Sequence, residues 1–242
     1  MPVALVSGAS RGIGRAVALR LAEDGYDIGV CYREHADGAA QVVSAVSDVG
    51  RRAVALAGDL AQPLVVTELV RETERQLGTV DVLVANAGIV TAPTGIRDLE
   101  LGEWERVLAV NLTGPFLLSQ ALFAGMCERD FGRIVFISSV AAYTGGLVGA
   151  HYAASKAGLH GLAHSLAREG AAHGVTANVV APALIETDML PADAAIRQQL
   201  AASRAVGRLG TPEEVADLVA AVVRNGYLSS QSILLDGGSH PT

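Results

Sequence analysis

Short apolar runs alternate along the chain with longer stretches whose apolar positions recur every three or four residues. That alternation builds βαβ units around a parallel sheet. Val3–Ser7 predicts the first strand, and Gly12–Asp24 a helix carrying Ile13, Val17 and Leu21. Ile28–Tyr32 predicts a second strand, followed by a helix over Ala36–Val49. Ala53–Ala57 and Val80–Ala85 predict the third and fourth strands, with a helix from about Leu64 to Gln76 between them. Near-continuous apolar runs such as Val80–Ala85 suit strands covered on both faces. A helix is expected from near Glu103 to Glu128, adjusted around Gly114–Pro115. Arg133–Ser138, Thr176–Ala181 and Ser232–Asp236 complete seven strands, and His151–His173 predicts a long helix before the sixth.

One stretch breaks the alternation. Pro182–Gly210 is long, Ala-rich and weakly patterned, where a compact domain uses roughly two to six residues. Such loops often act as active-site lids, so a substrate lid is expected at about 183–210. Beyond it, Thr211 as N-cap and Pro212 at the first helical position open a helix over Glu213–Arg224. No linker, charge block or fixed-period repeat divides the chain. The expectation is one α/β domain over residues 1–242, doubly wound, with a parallel seven-stranded sheet and helices on both faces.

Composition narrows the function classes. Half of the 242 residues are hydrophobic and 18% are charged, which suits a folded core rather than a disordered chain. The 18 basic and 25 acidic residues give a net charge of −7. That argues against nucleic acid and against an anionic membrane surface, both of which attract basic clusters. Two cysteines, Cys31 and Cys127, are too few for a disulfide framework or a Cys-rich zinc site. The amino terminus has no basic region before its apolar run, and no apolar run reaches 18 residues. A soluble, cytoplasmic location is expected. Of the 18 basic residues, 17 are Arg and one is Lys, at Lys156.

The first βα connection reads Ser7-Gly8-Ala9-Ser10-Arg11-Gly12-Ile13-Gly14. Glycines between a strand and a helix let backbone N–H groups and a positive helix terminus approach a pyrophosphate. This points to a dinucleotide. At the end of the second strand a carboxylate reads the ribose of NAD, whereas Arg accommodates the 2′-phosphate of NADP. Here the strand ends Cys31-Tyr32-Arg33, with no acid before Glu34. Arg33, with Arg11 from the turn, favours NADP(H).

These residues resemble the short-chain dehydrogenase/reductase family almost from end to end. Ser7–Gly14 is similar to its TGxxxGxG turn, and Asp59-Leu60 to its adenine-contacting pair. Ala85-Asn86-Ala87-Gly88 resembles its NNAG segment, with Ala85 in place of the first Asn. Pro182–Thr187, including Ile185, resembles its PGxxxT nicotinamide segment, with Ala183 in place of Gly. The resemblance implies a Rossmann fold and a catalytic tetrad of Asn111, Ser139, Tyr152 and Lys156. It places Asn111 in a proton relay through Lys156, which also binds the ribose, and it implies a homotetramer built through the long helices and the segment Gly226–Gly238. A left-handed backbone at Ala183 would cost about 1–2 kcal/mol relative to Gly.

The chemistry of the pair can be derived independently. Tyr152 and Lys156 are four apart on a predicted helix and share one face. A phenol is a poor acid or base at neutral pH, and a nearby ammonium is expected to lower its pKa. Ser139 follows a parallel strand at its carboxyl end, where open α/β sheets place their ligand crevice. An exposed Tyr–Lys pair is ordinary by itself. The lone Lys changes that, because a random Lys lands four residues after one of five Tyr at about 2% of positions.

The expected reaction is NADPH-dependent reduction of a ketone to a secondary alcohol. Asn178–Met189 most resembles the β-ketoacyl-carrier-protein reductase branch, which implies a 3-oxoacyl thioester of fatty-acid synthesis. The alternatives are a free ketone, sugar or secondary metabolite as substrate, or a non-catalytic dinucleotide sensor. An acyl carrier protein as partner is disfavoured, because Glu128-Arg129-Asp130 and Ala171-Ala172-His173 lack a basic patch. His160 and His164, four apart, have no third ligand, so no metal is expected. His151 is assigned no role.

Overall fold

Ala4 and Val6 of the first strand face one apolar core, while Val3 and Leu5 face another. The same period of two sends Val82 and Val84 to the first core and Leu83 and Ala85 to the second. Strands buried on both faces in this way need helices on both sides.

The computed structural model describes residues 1–146 and 148–239. Among them, β1 (Val3–Ser7), β2 (Asp27–Tyr32), β3 (Ala53–Ala57), β4 (Val82–Ala85), β5 (Gly132–Ile137), β6 (Val175–Pro182) and β7 (Ser232–Leu235) form one sheet. Its order is β3-β2-β1-β4-β5-β6-β7, and each neighbouring pair is parallel. This is the Rossmann arrangement expected from the sequence. Chain order reverses between β1 and β4, and a ligand crevice opens at such a switch point.

Helices α1 (Gly12–Glu23), α2 (Ala36–Asp48) and α9 (Pro212–Arg224) cover the first core with Val17, Leu21, Val42, Val46, Val215 and Val219. The second core receives Val66 and Leu69 of α3 (Pro63–Leu77), Leu118 and Leu122 of α5 (Gly114–Glu128), and Leu159 and Ala163 of α7 (Ala150–Gly170). Phe136 belongs to that core and is fully buried. Truncating such a side chain to Ala typically costs about 3–5 kcal/mol.

Most element ends fall within two residues of the expectation. A capping box joins Thr211 and Glu214 at the start of α9, as Thr211 and Pro212 foretold. Two short helices were not expected. They are α6 (Ala141–Thr144) and α8 (Ala194–Ala202), the latter inside the weakly patterned stretch and capped by Asp193. That stretch is pinched at its base, where Glu186 donates to Gly210 O and Gly210 to Leu184 O. Ala183 does not adopt a positive φ, so the Gly-to-Ala replacement carries no left-handed strain.

The long helical stretch Leu101–Glu128 is apolar enough to span a membrane by composition, but its elements rest against α3 and α7. It consists of α4 (Leu101–Leu108), a π-turn over Ala109–Thr113, and α5. Pro115 has no N–H to return to the carbonyl of residue 111, so the α-helical ladder is interrupted there. A π-turn at that point is a frequent mark of functional sites. Asn111 stands at its centre.

Candidate active site

The turn after β1 is held shut by polar contacts to the neighbouring strand. Ser7 Oγ accepts hydrogen bonds from the N–H groups of Asn86 and Ala87, both at 3.0 Å. Asn86 Nδ2 donates to Ser7 O at 2.9 Å and to Gly8 O at 3.2 Å. Gly8 takes a φ of +65°, and a Cβ on Gly14 would stand 2.2 Å from Gly8 O. No side chain fits at position 14. Helix α1 starts with no side-chain cap and no acidic residue in its first turn. Its leading N–H groups therefore remain available to an anion.

A cleft opens here along the carboxyl ends of β1, β2, β3 and β4. Of the predicted residues, Gly8, Ser10, Arg11, Gly12, Ile13, Arg33, Asp59, Leu60, Asn86, Ala87, Gly88 and Thr187 line it. A cleft lined by Gly8, Gly12 and Gly88 and by Arg11 and Arg33 fits a dinucleotide phosphate. Both arginines already hold acids: Arg33 pairs with Glu34, and Arg11 Nη1 lies 3.4 Å from Asp188 Oδ2. Burial pushes the Asp59 carboxyl up, but the Ala61 N–H, Arg106 at 3.1 Å and the charge of Arg33 together hold it below its ordinary value.

The other residues of interest meet where β5 ends. Three consecutive residues there grip α7. Ile137 O accepts a 2.8 Å hydrogen bond from Lys156 Nζ, and Ser138 Oγ donates to Lys156 O at 2.9 Å. The Ser139 hydroxyl interacts with that of Tyr152 and also accepts the Ala141 N–H at 3.1 Å. Asn111 is fully buried. Its Oδ1 accepts the Ile89 N–H at 2.8 Å, while its Nδ2 donates to Ile89 O at 2.9 Å and to Ser155 Oγ at 3.2 Å. Gly88 joins this group to the cleft, since a Cβ there would lie 3.3 Å from Lys156 Nζ and 3.4 Å from Asn111 Oδ1.

One electrostatic expectation is corrected. Tyr152 was expected to have a lowered pKa through Lys156. Instead burial raises it, with Ser139 opposing. Burial of the phenol is the largest cause, and Lys156 Nζ donates to Ile137 O and stands 5.8 Å from the centre of the Tyr152 ring. Burial also lowers Lys156 to about 8. A neutral phenol is a loaded proton donor, and an ammonium lowered to about 8 lies close enough to neutral pH to be a tunable one.

Some predicted cofactor residues do not line the cleft. Gly14 supports the turn from behind, and Tyr152 and Lys156 lie beyond Gly88. Pro182 ends β6, its carbonyl taken by the Val140 N–H, and the Ile185 side chain is buried in the first core. The cleft also includes Cys31, Tyr32, Glu34, His35, Gly58, Ile89, Val110, Asp188 and Met189, none of which was predicted as a cofactor contact. Their neighbours in sequence were the available signal. His160 contacts Ser138, Tyr143 and Ser232, and His164 contacts Ser230. No cluster of three metal-binding side chains occurs among the described residues.

The sequence matches the family described as short chain dehydrogenase over residues 2–197. A 3-oxoacyl-[acyl-carrier-protein] reductase of Synechocystis sp. is 38% identical over 239 residues, covering 98% of this chain and 96% of that protein. A solved blue fluorescent protein from a metagenomic library, in complex with NADPH, is 40% identical with a TM-score of 0.93, covering 99% and 98% of the two chains. An acetoin dehydrogenase from Salmonella typhimurium is 34% identical with a TM-score of 0.90, covering 98% and 95%.

Proposed function

The chain belongs to the short-chain dehydrogenase family, and from that premise we propose that it reduces a ketone to a secondary alcohol with NADPH. The observation that carries this reading is Lys156. The sole lysine is buried one helical turn after Tyr152, at the point where the dinucleotide cleft ends. In a chain that uses Arg elsewhere, a buried Lys fits a role needing a compact donor of tunable pKa.

When bound, NADPH supplies the hydride that goes to the carbonyl carbon. The glycine turn and the N-terminus of α1 would hold its pyrophosphate, and Arg33 with Arg11 would hold the 2′-phosphate. Asp59 and Leu60 would contact the adenine, and Asn86, Ala87 and Gly88 would line the cleft along the rest of the dinucleotide. Thr187, Pro182 and Ile185 belong to the segment that frames the nicotinamide end. Ser139 donates a hydrogen bond to the carbonyl oxygen. Tyr152 gives the same oxygen its proton, and the raised pKa of that phenol keeps it protonated for reduction. Lys156 would bind the ribose hydroxyls, and Asn111 fixes Ile89 and carries the relay through Lys156 that returns a proton. The stretch 183–210 closes over the substrate as a lid.

A 3-oxoacyl thioester is the favoured substrate, supported by the identity to the Synechocystis reductase. The likeness to an acetoin dehydrogenase supports a free ketone as the second reading. An acyl carrier protein is disfavoured as the carrier. Arg129 is engaged with Val80 O at 2.8 Å, and His173 faces Asp130 at 3.4 Å, so neither region offers a free basic patch. We place the enzyme in the cytoplasm as a homotetramer. β7 is an edge strand, only half-buried and apolar, which suits continuation into a second copy. The deciding experiment is NADPH oxidation across a panel of free ketones and β-ketoacyl thioesters. Turnover with a member of the panel supports the reading, and NADPH binding with no turnover on any member favours a dinucleotide sensor.

A further inference from the structure

His151 directly precedes Tyr152 and has no accessible surface. Its Nε2 lies 2.7 Å from Thr91 Oγ1 and 3.7 Å from Glu103 Oε1, while its Nδ1 is buried without a partner. The partners settle the tautomer. A buried N–H left unpaired costs more than an unpaired lone pair in a ring nitrogen, and the Glu103 carboxylate favours hydrogen at the nitrogen facing it. Nε2 therefore carries the hydrogen and donates to Thr91.

Thr91 lies in a segment that needs such support. From Asn86 to Thr94 the backbone joins no helix or strand. Asn111 holds it at Ile89 through both backbone groups, and the next side-chain anchor is His151 at Thr91. Gly149, at the start of α7, is shaped around the same ring: a Cβ there would lie 2.7 Å from His151 Cε1 and 3.2 Å from Thr94 O. The imidazole thus fills the space between the first turn of α7, the segment after β4, and α4.

We propose that His151 is a positioning residue for the reaction. It fixes the segment Ile89–Thr94 against the first turn of α7, so that the wall beside Gly88 and the hydroxyl of Tyr152 keep one spacing. A donor at Nε2 carries this role, whereas ring volume alone does not. The inference rests on the reductase reading for its kinetic consequence but not for the anchoring itself.

The test compares wild type with His151→Leu, His151→Gln and Thr91→Val, the last leaving the histidine and its packing in place. Gln places an amide N–H near the position of Nε2. Leu and Val are expected to speed amide hydrogen exchange in residues 88–95 by about tenfold, with the peptides of the central strands unchanged. They should lower kcat/KM for the ketone by about tenfold while NADPH affinity is kept, and Gln should restore most of the loss. Adding Thr91→Val to His151→Leu should bring little further loss, because both remove one contact. Unchanged exchange in residues 88–95 for both Leu and Val, or equal losses for Gln and Leu, would overturn the proposal. If wild type reduces no ketone, the reductase reading fails, and the exchange contrast still decides the anchoring.

Discussion

Lys156 Nζ donates to the carbonyl oxygen of Ile137 at 2.8 Å, which sets the only lysine of the chain against the end of β5, away from solvent. The bond compensates part of the desolvation that lowers this ammonium to about 8.

That depression makes stability depend on pH. An unfolded lysine titrates near 10.4, so between about pH 8 and 10.4 the unfolded chain binds the proton that the folded chain has released. Unfolding free energy should therefore rise with pH in this window relative to a Lys156→Met variant. From pH 7 to 9.5 the relative gain should be on the order of 2 kcal/mol. Urea unfolding of both proteins at the two pH values checks it, and a flat difference would show that Lys156 is not held down.

Arg33 is expected to read the 2′-phosphate. Arg33→Ala should weaken NADPH binding by about 1.5–3 kcal/mol, the scale of a charge-assisted hydrogen bond, and leave NADH nearly unchanged. Because Glu34 competes for the same guanidinium, Glu34→Gln should tighten NADPH modestly. Fluorescence titration measures both. Equal losses for the two cofactors in the Ala variant would remove Arg33 from the 2′-phosphate site.

The sheet was legible because its strands are continuous apolar runs and its long helices keep a 3.6-residue period. The same signals failed at Ala194–Ala202, a helix with no buried residue and hence no apolar stripe to read. The glycine turn and the Tyr152–Lys156 pair were legible as residue types at fixed spacing, whereas Asn111 and Ser139 entered only through the family resemblance. Asn111 shows the limit: its place in a π-turn depends on Pro115, a residue noted only as an adjustment. The raised pKa of Tyr152 comes from the burial of its phenol, which spacing along a helix cannot specify. Adjacent helical residues face different ways, which turns His151 away from the face of Tyr152, and that is how it reaches Thr91.

Carrier recognition should be weak. One β-ketoacyl group presented on a carrier protein and on a short thiol should give similar kcat/KM, at low and at high salt. Long-range attraction between an acidic carrier and a chain of net charge −7 is small. A large carrier advantage that salt abolishes would restore a dedicated carrier-protein role.

Assembly is tested by mass. Light scattering at micromolar concentration should give near four times the 24.9 kDa of one chain. A mass of one chain would reject assembly through β7 and the long helices.

The central claim is that Tyr152 delivers the proton to the reduced carbonyl. Tyr152→Phe keeps the ring and removes the hydroxyl. Its steady-state NADPH oxidation, with the best ketone or thioester of the panel, is the most direct measurement, accompanied by an NADPH titration. The account predicts unchanged NADPH affinity with turnover reduced by about a hundredfold or more, the usual scale of a lost general acid. Turnover above a tenth of wild type, with NADPH still bound, would contradict it.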